Sequence, residues 1–242
     1  MSSDLTRWLA PLTFALLLSA CSDDSIGAGP VPWPPAGPGA PAALAAELTT
    51  RNFYVVLDAS GSMNERACQG GGSKIEQARA ALQAFVKAVP RNANLGLMVF
   101  DQTGISERVA LGGDNRDEFM RRVLAIHPSG GTPLRGAVEI GRRQLEAQAR
   151  RQLGYGEYNL VIVTDGEASK GHDPRDAVDA LIAQTPIVLH TVGFCIDARH
   201  SLNQAGRTIY KQANDTAELQ RGLESVLAES PSFTVQRFKD KR

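Results

Sequence analysis

The chain is 242 residues long, 43% hydrophobic and 21% charged, which is enough for one sizeable globular domain with appended segments. Lys plus Arg and Asp plus Glu number 26 each, so no global field draws in nucleic acid or an anionic membrane surface.

At the N-terminus, Arg7 precedes an apolar run from Trp8 to Leu18, followed by Leu18, Ser19, Ala20 and Cys21. The run is too short to cross a bilayer, which needs about 20 residues, and fits a cleaved export signal over residues 1–20. Its L-S-A-C ending resembles a bacterial lipobox, which implies a lipid anchor on Cys21 and a mature chain held on a membrane without spanning it. Ser22 after the cysteine, by the same resemblance, implies the outer membrane of the cell envelope rather than the inner. Residues 21–50 are rich in Pro, Gly and Ala and read as a tether; roughly 25 residues at about 3.1 Å each would reach about 75 Å. Simple spacing from the headgroups serves as well.

The domain is expected over residues 51–230, with 231–242 as a tail. Val55, Val56 and Leu57 form a continuous apolar strand that ends in Asp58, Ala59, Ser60, Gly61, Ser62 and Met63. Such a run suits a central parallel strand covered on both faces, whose carboxyl end is a ligand position. Alternate carboxylate and hydroxyl oxygens suit a hard dication, although an ordinary Asx or Ser turn uses the same residues.

Ile75 to Val89 repeats at helical spacing, with Lys74, Glu76, Gln77 and Lys87 on the outer face and Pro90 as the stop. Leu95–Phe100 is the next strand, and Glu107–Leu111 a shorter one that could pair with it as an edge hairpin. Asp114–Ile126 reads as a helix capped by Asp114. Ser129, Gly130, Gly131, Thr132, Pro133 and Leu134 open a long helix, with Thr132 exposed at the tip or serving as an N-cap, and with Arg142, Arg143, Arg150 and Arg151 turned outward. Leu160–Val163 is a second buried strand, ending in Thr164, Asp165 and Gly166. A helix over Asp176–Ile182, strands at Ile187–Val192 and Thr208–Lys211, and a helix over Thr216–Ala228 complete the alternation. The fold class is α/β, a doubly wound and mostly parallel sheet flanked by helices.

Three ordered motifs, D-x-S-x-S at 58–62, G-G-T-P-L at 130–134 and T-D-G-E at 164–167, together resemble the von Willebrand factor A domain over about Arg51 to Ala228. The resemblance implies a metal ion-dependent adhesion site on Asp58, Ser60, Ser62, Thr132 and Asp165. It further implies Mg²⁺ or Mn²⁺ as the cofactor and a protein or peptide partner that presents Asp or Glu. Independently, the first and fourth strands would neighbour one another at the switch point of such a sheet. The loop Asn64–Ser73 departs from many relatives by inserting Glu65, Cys68 and Gly70–Gly72.

With Cys21 lipidated, Cys68 and Cys195 remain in an oxidising compartment and are expected to pair. If the fourth strand lies between the first and fifth, their strand ends are about 10 Å apart, a gap the loop could close. G-G-G-S-K lacks the order of a phosphate loop, so no nucleotide is expected. His127, His172, His190 and His200 form no zinc motif, and Asp58 stands where a G-x-S-x-G hydrolase has its first glycine. The resulting expectation is a membrane-anchored, non-enzymatic binding module. Two alternatives stand beside it, a scaffold subunit of an envelope assembly and, from another class, a metal-dependent phosphohydrolase.

Overall fold

The computed structural model describes residues 32–38 and 42–228. The expected signal, Cys21, residues 22–31 and 39–41 of the spacer and the tail at 231–242 lie outside these residues. Among the described residues six strands form one sheet: β1 (Arg51–Asp58), β2 (Asn94–Asp101), β3 (Gly104–Gly112), β4 (Glu157–Thr164), β5 (Val188–Phe194) and β6 (Ile209–Ala213). Their order is β3-β2-β1-β4-β5-β6, parallel throughout except for the antiparallel edge strand β3.

Five α-helices among the described residues cover the sheet: α1 (Lys74–Ala88), α2 (Arg116–Leu124), α3 (Leu134–Arg151), α4 (Arg175–Gln184) and α5 (Thr216–Ala228). Side chains alternate across a strand, so β1 feeds two cores at once. Phe53, Val55 and Leu57 pack with α1, α2 and α5, while Tyr54 and Val56 pack with α3 and α4. A strand buried on both faces has no polar alternation, which is why β1 and β4 read as unbroken apolar runs. The expected doubly wound sheet is therefore what the chain forms.

Some local expectations are corrected. Asp114 does not cap α2; Asn115 holds that position, and Asp114 takes a left-handed backbone with φ 51°. Thr132 is buried rather than exposed, at 7%. Gln77 is buried as well, because its amide donates to the Gln69 and Gly71 carbonyls of the glycine loop. Trp33, within the stretch read as a spacer, stacks edge-on against Tyr158 with ring centroids 5.4 Å apart. Among the described residues, no helix is long and apolar enough to cross a membrane.

Candidate metal site at the sheet switch point

β1 hands the chain to β2 on one side and neighbours β4 on the other, so the loops after β1 and β4 diverge to opposite faces. Asp58 ends β1 and is fully buried. Its Oδ1 accepts from the Ser60 backbone N–H at 2.7 Å, and its Oδ2 from the Thr164 hydroxyl at 2.6 Å. Burial pushes the Asp58 carboxyl up to about 6, against the pull of the Ser60 and Thr164 hydrogen bonds and with the Asp165 charge adding to the rise.

Across the crevice, Asp165 follows β4. Its Oδ1 accepts from the Ser62 hydroxyl at 2.8 Å, and the Ser60 and Ser62 hydroxyl oxygens lie 3.0 Å apart. These contacts gather Asp58, Ser60, Ser62 and Asp165 into one cluster. The Thr132 loop is stitched beside it: Ser129 N–H donates to Ala59 O at 2.7 Å and Gly61 N–H to Gly130 O at 3.0 Å. The Thr132 hydroxyl makes no hydrogen bond to the other four residues. Its peptide is held instead by Ser169, whose hydroxyl accepts from Thr132 N–H at 2.9 Å and whose N–H donates to Thr132 O at 3.0 Å. A cleft of about 240 Å³ opens there, lined by Asp101, Gln102, Gly130, Thr132, Ser169 and His172.

Reading the sequence missed three members. Thr164 and Ser169 hold ligand candidates in place, and Lys74, assigned to the outer face of α1, turns into the site. Its Nζ lies 2.8 Å from Asp165 Oδ2 and 3.2 Å from Glu65 Oε2. Burial opposes a charged Lys74, but the Asp165 and Glu65 carboxylates outweigh it and raise its pKa. The signal was available: a lysine at the first position of a helix opposes the helix dipole, and a side chain there points back past the N-terminus.

The Asn64–Ser73 loop folds into a small hairpin, with Ala67 N–H donating to Gly72 O at 3.0 Å and Lys74 N–H to Glu65 O at 2.9 Å. Cys68 and Cys195 form the expected disulfide, with Cα atoms 5.7 Å apart. It fastens the hairpin that carries Glu65 to the end of β5.

Two carboxylates and three hydroxyls are hard oxygen donors, and this chemistry fits Mg²⁺ or Mn²⁺. Among the described residues, no group of three or more His, Cys, Asp or Glu is placed to hold a metal. Only two of the five candidate donors here belong to those types. Among the described residues, the Ser129 hydroxyl donates to the His127 backbone carbonyl at 3.5 Å, and no serine or threonine hydroxyl hydrogen-bonds a histidine ring, the contact that activates such a nucleophile. His200 is committed elsewhere: its Nδ1 accepts from Leu202 N–H, which leaves Nε2–H to donate to Gly166 O at 2.9 Å.

Comparison with known proteins adds a family. The model described as "von Willebrand factor type A domain" matches residues 52–240. The uncharacterized protein YwmD of Bacillus subtilis (strain 168) is 27% identical over 213 residues, covering 80% of this chain and 91% of that protein. Two solved structures share the fold. An aerotolerance-related membrane protein of Bacteroides fragilis is 17% identical with TM-score 0.57, covering 73% of this chain and 98% of its own. Proximal thread matrix protein 1 of the mussel byssus, solved with a zinc-occupied MIDAS motif, is 15% identical with TM-score 0.56, covering 74% and 47%.

Proposed function

The chain belongs to the von Willebrand factor type A domain family, and from that membership we propose that it binds a protein or peptide partner through a divalent cation. Asp58, Ser60, Ser62, Thr132 and Asp165 would hold the ion, which when bound supplies a Lewis-acidic position for an Asp or Glu of the partner. The family's domain is a non-catalytic interaction module, and this chain is not an enzyme.

One observation carries the reading: the loops after β1 and β4 bring two buried aspartates and two serine hydroxyls into one hydrogen-bonded cluster. The chain's own residues prepare it. Thr164 and the Ser60 peptide fix both oxygens of Asp58, and Ser169 fixes the peptide of Thr132. Lys74 supplies the positive charge that Asp165 needs when no metal is bound, and Glu65 gives the ammonium a second partner when Asp165 turns elsewhere. The zinc-occupied motif of the mussel protein, which has this fold, supports the assignment.

The cellular setting is part of the same proposal. Residues 1–20 direct export, Cys21 carries the lipid, 21–50 connect it to the domain at 51–230, and 231–242 trail behind. The protein then sits in the cell envelope, on the outer membrane; the membrane association is supported by the Bacteroides membrane protein of like fold.

The test is capture on immobilised peptides that differ only in Asp or Glu against Asn or Gln. Retention on the acidic peptides with Mn²⁺, lost with chelator and in Asp58→Ala, is the expected result; retention indifferent to metal and to Asp58 defeats the proposal. A scaffold role is favoured by one feature, the Lys74–Asp165 pair, which closes the site without metal. In that case Thr132→Ala would change stability and leave peptide capture untouched.

A further inference from the structure

The zero net charge hides an asymmetry between the two ends of the sheet. Of the five exposed large hydrophobic residues among those described, four lie where strands begin, opposite the metal site: Leu44 (59% exposed), Leu153 (49%), Tyr155 (68%) and Val188 (41%). Leu153 and Tyr155 form the turn from α3 into β4, and Val188 opens β5. Ala45 N–H donates to Arg151 O at 2.8 Å, which lays Leu44 against the same turn. Leu153 keeps a left-handed backbone, φ 51°, a region in which a leucine is strained and Asn or Gly would be at ease. The fold accepts that strain while leaving the leucine half in water.

Arginines gather at the same pole, beside the acidic Glu47, Asp114 and Glu157, while at the metal end Arg66 and Lys170 carry no ion pair among the described residues. Arg135, Arg175 and Arg199 each pair with an aspartate. Arg51, Arg91, Arg150 and Arg151, at the strand starts and helix ends of the opposite pole, carry no ion pair among the described residues. The described chain also enters at this pole, where Trp33 and Pro34 pack on Tyr158 and Gly154 and Arg150 Nη1 donates to Pro35 O at 3.5 Å. From Cys21 to Trp33 the sequence spans at most about 40 Å when fully extended.

We propose that this pole rests on an anionic lipid surface, with Leu153 and Tyr155 entering the headgroup layer and the arginines that carry no ion pair meeting lipid phosphates. Aromatic and aliphatic side chains beside arginine are the composition of interfacial binding, in which apolar area and charge act together. The reach of the anchor rests on the reading of Cys21 given above, whereas the face itself rests on its own residues. The orientation follows: Asp58 ends the strand that Arg51 begins, roughly 23 Å away at about 3.3 Å per residue, so the metal site points away from the membrane.

The experiment uses the full acylated chain in phosphatidylglycerol and phosphatidylethanolamine vesicles, with a nitroxide at Tyr155→Cys or at Lys170→Cys, an exposed position beyond β4. On anionic vesicles the label at 155 should lose collisions with a water-soluble nickel chelate several-fold and gain them with oxygen. The label at 170 should be unchanged, and Leu153→Asp together with Val188→Asp should restore the aqueous signal at 155. Equal water access at both positions overturns the proposal, as does spin–spin broadening between labels at 155, which would mean that a second copy covers the face. Mass spectrometry of the mature chain reads acylation separately. An unacylated chain defeats the anchor reading, while the nitroxide comparison with vesicles in excess still decides the face.

Discussion

Lys74 occupies the position of greatest consequence in the site, because its ammonium and a divalent cation would compete for the Asp165 carboxylate. Removing it as Lys74→Met leaves a buried carboxylate without its partner, a loss of about 3 kcal/mol by the measure of broken buried ion pairs. The same change should tighten Mn²⁺ binding by about tenfold, or about 1.4 kcal/mol, because no internal cation has to be displaced. Thermal melts with and without Mn²⁺ check both: Lys74→Met should melt below the wild type without metal and recover most of the difference with it. A variant that Mn²⁺ fails to rescue would mean that Lys74 is merely structural. Asp58, Ser60, Ser62 and Asp165 were legible in the sequence because strand ends and motif order mark them. Lys74 was not, because helical periodicity assigns polar residues to the outer face and takes no account of a first-turn side chain reaching back past the helix.

At the scale of elements, two fastenings set the loops around the crevice. Gly130 has φ +86°, and a Cβ there would lie 2.8 Å from backbone atoms of Gln102, in the β2–β3 turn. Gly130→Ala should therefore cost about 2 kcal/mol in a denaturant melt through backbone strain and displacement of the loop. It should also weaken metal binding with both aspartates intact; unchanged stability and affinity would show that the loop has room to spare. The second fastening is the Cys68–Cys195 disulfide, which closes a separation of 127 residues. The double serine variant should lose about 5 kcal/mol in the chain-entropy model, read from the shift in urea midpoint at unchanged slope. A loss near zero would mean that the hairpin's own bonds to Gln77 already fix it. The elements themselves were readable because central strands are unbroken apolar runs and amphipathic helices keep their period. What escaped depends on contacts distant in sequence: the packing of Trp33 on Tyr158, and the cap of α2, where Asn115 reaches the Leu95 carbonyl.

For the whole molecule, a buried polar line crosses the strand starts: Asn94 donates to Asn52, and His190 Nε2 meets Asn159 Oδ1 at 3.1 Å. His190 Nδ1 is buried without a partner, so a second proton there would have no acceptor. Burial first, then the Lys211 charge, lowers His190 from 6.5 to about 4. Between these values the unfolded chain binds the proton and the native state does not, so stability falls as pH drops through the window. The full difference is about 3 kcal/mol at about 1.4 kcal/mol per pKa unit. Urea melts from pH 7 to pH 4 should show a shallower loss in His190→Gln than in the wild type; parallel curves would assign the acid sensitivity to other groups. The two ends of the molecule then divide the work, with the strand starts closed by apolar and basic residues and the strand ends gathering carboxylates and hydroxyls. The central claim concerns the second end, and calorimetric titration of Mg²⁺ and Mn²⁺ into the wild type and into a folded Asp58→Ala variant tests it most directly. The account predicts a single site in the wild type and no measurable heat of binding in the variant. Undiminished binding by Asp58→Ala, or no binding by the wild type even with a carboxylate-bearing peptide present, would contradict it.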